Sequence, residues 1–117
     1  MATLKIADLA AEIGATVIAA GRHEGRIDRV YAGDRISDLL NHAGHGTLIV
    51  SNLPGIQLVR LAELMDLPAF CLVEGTAPEP AVVAAAELHG TAVLVSPAGL
   101  FETCGLIYRC LQQERCT

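Results

Sequence analysis

Three short apolar runs, Thr47-Leu-Ile-Val50, Phe70-Cys-Leu-Val73 and Ala92-Val-Leu-Val95, constrain this chain more than any other feature of it. Each is apolar on consecutive positions. A strand with one wet face alternates apolar and polar residues, whereas a strand covered on both faces has no reason to. The runs therefore read as inner strands of a sheet with helices above and below. Each is followed by a turn carrying Gly, Pro or Ser and then by a helical stretch of about ten residues. The repeat runs Ile27 to Tyr31 then Ile36 to Ala43, Thr47 to Val50 then Ile56 to Met65, Ala69 to Val73 then Ala81 to His89, and Ala92 to Val95 then Leu100 to Gln113. Ahead of it, Leu4, Ile6, Leu9, Ala10 and Ile13 fall at helical spacing before Gly14, which predicts a helix over residues 5 to 13. Ala15 to Ala20 reads as a strand. Strands alternating with helices imply parallel pairing through right-handed crossovers. The expected fold is α/β, a single three-layer domain over residues 1–117 with a mostly parallel sheet flanked by helices.

Composition narrows the function. With 52% hydrophobic and 18% charged residues the chain is globular rather than disordered. Its uncharged apolar stretches fall well short of the roughly 20 residues that cross a bilayer, so no membrane partner is expected. Met1 to Asp8 lacks the cationic segment and apolar core of an export signal, and a cytoplasmic location is the expectation. Eight Lys plus Arg against thirteen Asp plus Glu leave a net charge of −5, with Lys5 the sole lysine. Such a balance argues against a nucleic-acid partner, which needs cations to neutralise phosphates.

Motifs for demanding chemistry are missing. The sequence has no G-x-x-x-x-G-K-[ST] loop, no G-x-G-x-x-G fingerprint and no G-x-S-x-G elbow. Kinase and ATPase activity are disfavoured, no catalytic residue is assigned, and no cofactor is called for. Cys71 falls inside a strand, and Cys104, Cys110 and Cys116 are spaced six apart, about 240° of helical rotation each, so they should face different directions. Without a C-x-x-C they read as buried or incidental thiols. His42 and His45 form an H-x-x-H pair with no partner cluster, and His23 and His89 fall at turns or helix ends; surface histidines are expected and no metal site is assigned. Glu74 and Asp34 lie at strand ends, where solvated or capping carboxylates are the ordinary reading.

In an open parallel sheet, ligands collect beyond the carboxyl ends of the strands. Those ends are Gly33-Asp34-Arg35, Ser51-Asn52-Leu-Pro-Gly55, Glu74-Gly75-Thr76 and Ser96-Pro-Ala-Gly99. The candidate ligand-binding residues are accordingly Gly33, Asp34, Arg35, Ser51, Asn52, Gly75, Thr76 and Ser96. Their hydroxyls, amide and glycine backbones suit an anion, and they equally suit ordinary helix caps and turns. In the most charged segment an Asp at the N-cap position precedes an Arg in the first helical turn, where the helix dipole disfavours a cation. Arg35 either pairs with Asp38 or reaches a ligand or partner chain.

The order of elements and several strings together resemble the DRTGG domain family. The strings are Tyr31-Ala-Gly-Asp-Arg-Ile-Ser-Asp-Leu-Leu, the helix Ile56 to Leu64, Leu72-Val-Glu-Gly-Thr-Ala-Pro-Glu-Pro, Ala86-Glu-Leu-His-Gly-Thr-Ala-Val-Leu-Val-Ser-Pro, and Phe101-Glu-Thr-Cys-Gly-Leu-Ile-Tyr. The string that names the family is absent, and Val73-Glu74-Gly75-Thr76 stands where a Thr-Gly-Gly-like turn is expected. A related fold forms the non-catalytic N-terminal part of the serine kinase/phosphorylase of the bacterial phosphotransferase system. The resemblance implies a regulatory or sensor module, homodimeric, that binds a small anionic ligand such as an adenine nucleotide at the strand ends. The alternative it implies is a ligand-free accessory whose partner is a redox enzyme, such as an iron hydrogenase, or a signalling kinase. An enzyme using Glu74 or Cys71 at the rim is the third reading.

Overall fold

The computed structural model describes residues 3–22 and 25–113. In chain order the elements are β1 (Leu4–Lys5), α1 (Ile6–Ile13), β2 (Thr16–Ala20), β3 (Arg26–Ile27), β4 (Arg29–Ala32), α2 (Ile36–His42), β5 (Thr47–Val50), α3 (Gly55–Met65), β6 (Ala69–Leu72), α4 (Pro80–His89), β7 (Ala92–Val95) and α5 (Leu100–Gln113). Five strands form one sheet in the order β2-β7-β6-β5-β4, in which only the β2–β7 pair is antiparallel.

The consecutive apolar runs are explained by two separate cores. Leu48, Val50, Cys71 and Leu94 point to one face and pack with Leu9, Ile13 and Ile107 from α1 and α5. Ile49, Phe70, Leu72 and Val93 point to the other, against Leu39, Leu58 and Val82 from α2, α3 and α4. Both faces of the inner strands β5, β6 and β7 are dry, which makes the three-layer α/β fold read from the sequence the observed one. From β4 to β7 the chain advances one strand at a time with every helix on the same face, as successive crossovers of one hand require. It then reverses, and α5 returns over the opposite face beside α1.

One expected strand is two. Ile27 pairs with Leu4 in a small antiparallel ribbon of β1 and β3, while Arg29 to Ala32 form the edge of the main sheet. Asp28 makes the break, since its N–H and that of Arg29 both donate to the Gly46 carbonyl, at 2.9 and 3.3 Å. The ribbon also holds Leu4 and Lys5 extended, so the first helix starts at Ile6. At the amino edge of the sheet Asp66 caps the end of α3 in the left-handed region, φ 54°. Its carboxylate faces Arg22 at 3.3 Å and His45 and His89 at 3.4 Å.

Candidate ligand-binding cleft

The reversal of connections between β6 and β7 is where a doubly wound sheet ordinarily opens a crevice. Here the chain fills that crevice itself. The Glu74 N–H donates to the Ala98 carbonyl at 2.8 Å and the Gly75 N–H to the Ser96 carbonyl at 2.9 Å, which ties the two rim loops together. Positive φ at both Glu74 (59°) and Gly75 (66°), with the Thr76 N–H bonded to the Val73 carbonyl, marks a type I′ turn. Ser96 is fully buried; its hydroxyl lies 2.8 Å from that of Thr103 and accepts the Ala98 N–H at 3.2 Å. The Glu74 carboxylate lies against Gly99 at the amino end of α5, where the helix dipole welcomes negative charge.

The open cleft sits one strand over, beyond the ends of β5 and β6. Its volume is about 300 Å³, and its walls are Ser51 to Gly55, Glu74, Thr76 to Glu79 and Val82. Two helix amino ends reach it, and neither α3, which begins after Pro54, nor α4, which begins after Glu79, has a side-chain cap. Backbone N–H groups there remain to be satisfied by a ligand or water. Ser51 is buried, with its N–H on the Cys71 carbonyl and its hydroxyl accepting the Leu53 N–H at 3.1 Å, which fixes the bend into α3. Gly55 lets α3 approach α4, because a Cβ there would stand 3.3 Å from the Val82 side chain.

Of the eight sequence candidates, Ser51, Asn52 and Thr76 line this cleft, and Gly75 belongs to the turn beside it. Gly33, Asp34 and Arg35 occupy the next rim, at the end of β4, where the Gly33 N–H donates to the Val50 carbonyl. Arg35, not Asp34, is the N-cap residue of α2, in extended conformation with its carbonyl taking the Leu39 N–H, which corrects the expected placing of Arg35 in the first turn. Its Nε lies 3.9 Å from Asp38 across one turn, and its side chain is exposed. Ser96 is held inside the closed crevice. The sequence reading missed Pro78, Glu79 and Val82; the Pro78-Glu-Pro80 loop was a usable signal, since two prolines around one residue stiffen a helix entry.

The cleft carries Glu74 and Glu79 and no cation. A second cleft of about 650 Å³ at the amino edge has the opposite character, lined by Lys5, Arg22 and Arg26 with no carboxylate among the described residues. Arg22 there pairs with Asp66, and Arg26 Nε donates to the Thr3 hydroxyl at 2.7 Å.

Among the described residues the thiols pack in or against the core and the histidines lie beside Tyr31 or Asp66. Burial pushes the Cys71 thiol up to about 12, and its S–H points at the Leu72 carbonyl. Cys104 is half-buried and raised by burial too, and it packs against the same core layer as Cys110 from about 120° around the helix. His42 stacks on Tyr31 with ring centroids 4.2 Å apart, while His45 turns to Asp66. His23 and Cys116 lie outside the described residues. Among the described residues no group of three metal-ligating side chains converges, and no helix is long and apolar enough to cross a membrane.

The thiol geometry has a measurable consequence. Under native conditions near pH 8, Cys104 should react with a thiol reagent while Cys71 reacts only on unfolding. The Cys71 proton is held more tightly in the folded chain than in the unfolded one, whose thiol has the ordinary value of 9.0. Stability from this group is thus complete below pH 9 and is lost as pH rises toward about 12. Cys71→Ala should flatten the alkaline limb of the stability curve.

No family model and no curated protein matches the sequence. Among solved structures the chain is similar to the CBS and DRTGG domains of the regulatory region of Clostridium perfringens pyrophosphatase, complexed with the activator diadenosine tetraphosphate. The TM-score is 0.77 at 11% identity, over 89% of this chain and 46% of that one, so this chain spans under half the length of its neighbour. The likeness agrees with the resemblance that the sequence strings carried: the fold of this chain is DRTGG-like.

Proposed function

We propose that this chain is a non-catalytic regulatory module, acting as a homodimer, that senses a small anionic ligand of the adenine nucleotide class in the cleft beyond β5 and β6. The observation that carries this reading is the meeting of two uncapped helix amino ends over a cleft of about 300 Å³, at the low end of small-molecule sites. The charge pattern assigns parts of such a ligand. Leu53, Pro78 and Val82 offer apolar walls to a ring, and Glu74 and Glu79 accept hydrogen bonds from ribose hydroxyls or an exocyclic amine. The phosphate goes to the amino end of α3, with Arg35 on the neighbouring rim. The neighbouring regulatory region holds a nucleotide activator, which supports the ligand class.

Thermal shift with AMP, ATP, diadenosine tetraphosphate and acetyl phosphate tests the proposal. A ligand at a hundredfold its dissociation constant stabilises by about 2.7 kcal/mol. The rise in melting temperature should shrink in Asn52→Ala and Arg35→Ala. No response to any of the four overturns the reading. A response that survives these changes and vanishes in Lys5→Ala with Arg26→Ala moves the site to the amino edge.

A further inference from the structure

Helix α5 and the edge strand β4 leave between them an apolar groove of about 400 Å³, bordered by Val30, Ala32, Phe101, Cys104, Tyr108 and Leu111. Phe101 is 89% exposed and Tyr108 64%, on a helix whose other side is packed in the core. Between them stands Gly105. A Cβ at this position would meet nothing within 4 Å, so packing within the chain gives no reason for a glycine. In a helix interior glycine costs about 1 kcal/mol relative to alanine. A close approach from outside supplies the missing reason.

We infer that α5 packs antiparallel against α5 of a second copy, about a two-fold axis passing Gly105. The inference rests on the homodimer reading above and names its surface. At about 100° and 1.5 Å per residue, Glu102 and Arg109 lie about 60° and 40° to one side of Gly105, and Phe101 and Tyr108 about 40° and 60° to the other. A two-fold axis perpendicular to the helix brings like flanks together and reverses their direction. Glu102 then faces Arg109 of the partner subunit, the two about 1.5 Å apart along the helix axis, and Phe101 faces Tyr108 of the partner subunit. Each contact occurs twice. A closed dimer needs such a self-complementary patch. Neither Glu102 nor Arg109 makes an ion pair among the described residues. The glycine at the axis lets the two backbones approach. The charge pattern matches a second copy of this chain, because a two-fold mate presents the same charges in reverse order.

Sedimentation of the full chain across the micromolar range reads the result. The unaltered chain should show a monomer–dimer equilibrium. Glu102→Arg or Arg109→Glu alone, each placing like charges opposite one another, should weaken it about tenfold or more. The double variant should recover it, which a cost to the monomer fold would not do, since residues seven apart on one helix do not pair. Phe101→Asp should give a monomer with an unchanged circular dichroism spectrum. A chain monomeric at every concentration overturns both the homodimer reading and this surface. A dimer indifferent to the charge variants and to Phe101→Asp overturns the surface alone.

Discussion

Phe70→Ala should destabilise the chain by about 3 to 5 kcal/mol, enough to consume much of the 5 to 15 kcal/mol that holds a domain of this kind together. Phe70 is fully buried on β6, the middle strand of the sheet, and leads the fully buried side chains in volume. Its ring belongs to the layer under α2, α3 and α4, with Leu58 and Val82 in the same cluster. Truncation removes apolar area and leaves a cavity between rigid strands on either side, where collapse to fill it is hard. At about 3 to 6 °C per kcal/mol for a chain of this length, the melting temperature should fall by about 10 to 30 °C. Leu88→Ala serves as the control. That side chain is 92% exposed, and its loss should change stability by less than about 0.5 kcal/mol. Because the ends of β5 and β6 form the floor of the cleft, Phe70→Ala should also weaken any nucleotide response, whereas Leu88→Ala should not.

The large buried aromatic was legible in the sequence as part of an unbroken apolar run, and so was the layer architecture that the run implies. Four consecutive apolar residues leave few alternatives to a strand covered twice, and the observed β5 and β7 begin and end where the runs do. The rim was harder to read. Gly33, Ser51, Gly75 and Ser96 all stand at strand ends, which is as far as one-dimensional pattern goes. Whether neighbouring rims join or stay apart depends on hydrogen bonds between loops far apart in sequence, such as Glu74 to Ala98 and Gly75 to Ser96. Those bonds close the crevice at the reversal point and leave the opening one strand away. Arg35 shows the same limit on a smaller scale. Asp34 is the better capping residue by propensity, yet the chain needs one more extended residue to leave β4, and the cap position falls on the arginine. The ribbon of β1 and β3 was invisible for a further reason. Two-residue strands carry no periodicity, and only the long-range pairing of Leu4 with Ile27 creates them.

Gly21→Ala should cost about 2 to 5 kcal/mol, although it adds a single methyl group. Gly21 leaves β2 at φ 74°, in the left-handed region, which a residue with a Cβ enters at a cost of about 1 to 2 kcal/mol. The space is closed as well. A Cβ would stand 2.6 Å from the Ala92 backbone nitrogen and 3.0 Å from its Cα. Ala92 cannot retreat freely, because its N–H is bonded to the Pro68 carbonyl at 2.9 Å and β7 is paired on both sides. Relieving the clash therefore displaces backbone rather than a flexible side chain, adding about 1 to 3 kcal/mol. Gly14 separates the two contributions. It caps α1 at φ 72°, nearly the same angle, with nothing within 4 Å of a Cβ. Gly14→Ala should thus cost only the conformational part, about 1 kcal/mol, after the stiffer unfolded chain returns some of it. Urea unfolding of both variants measures the difference as a shift in midpoint with the slope unchanged. Equal midpoints would mean that β2 does not leave the sheet against Ala92, and the antiparallel pairing of β2 with β7 would have to be redrawn.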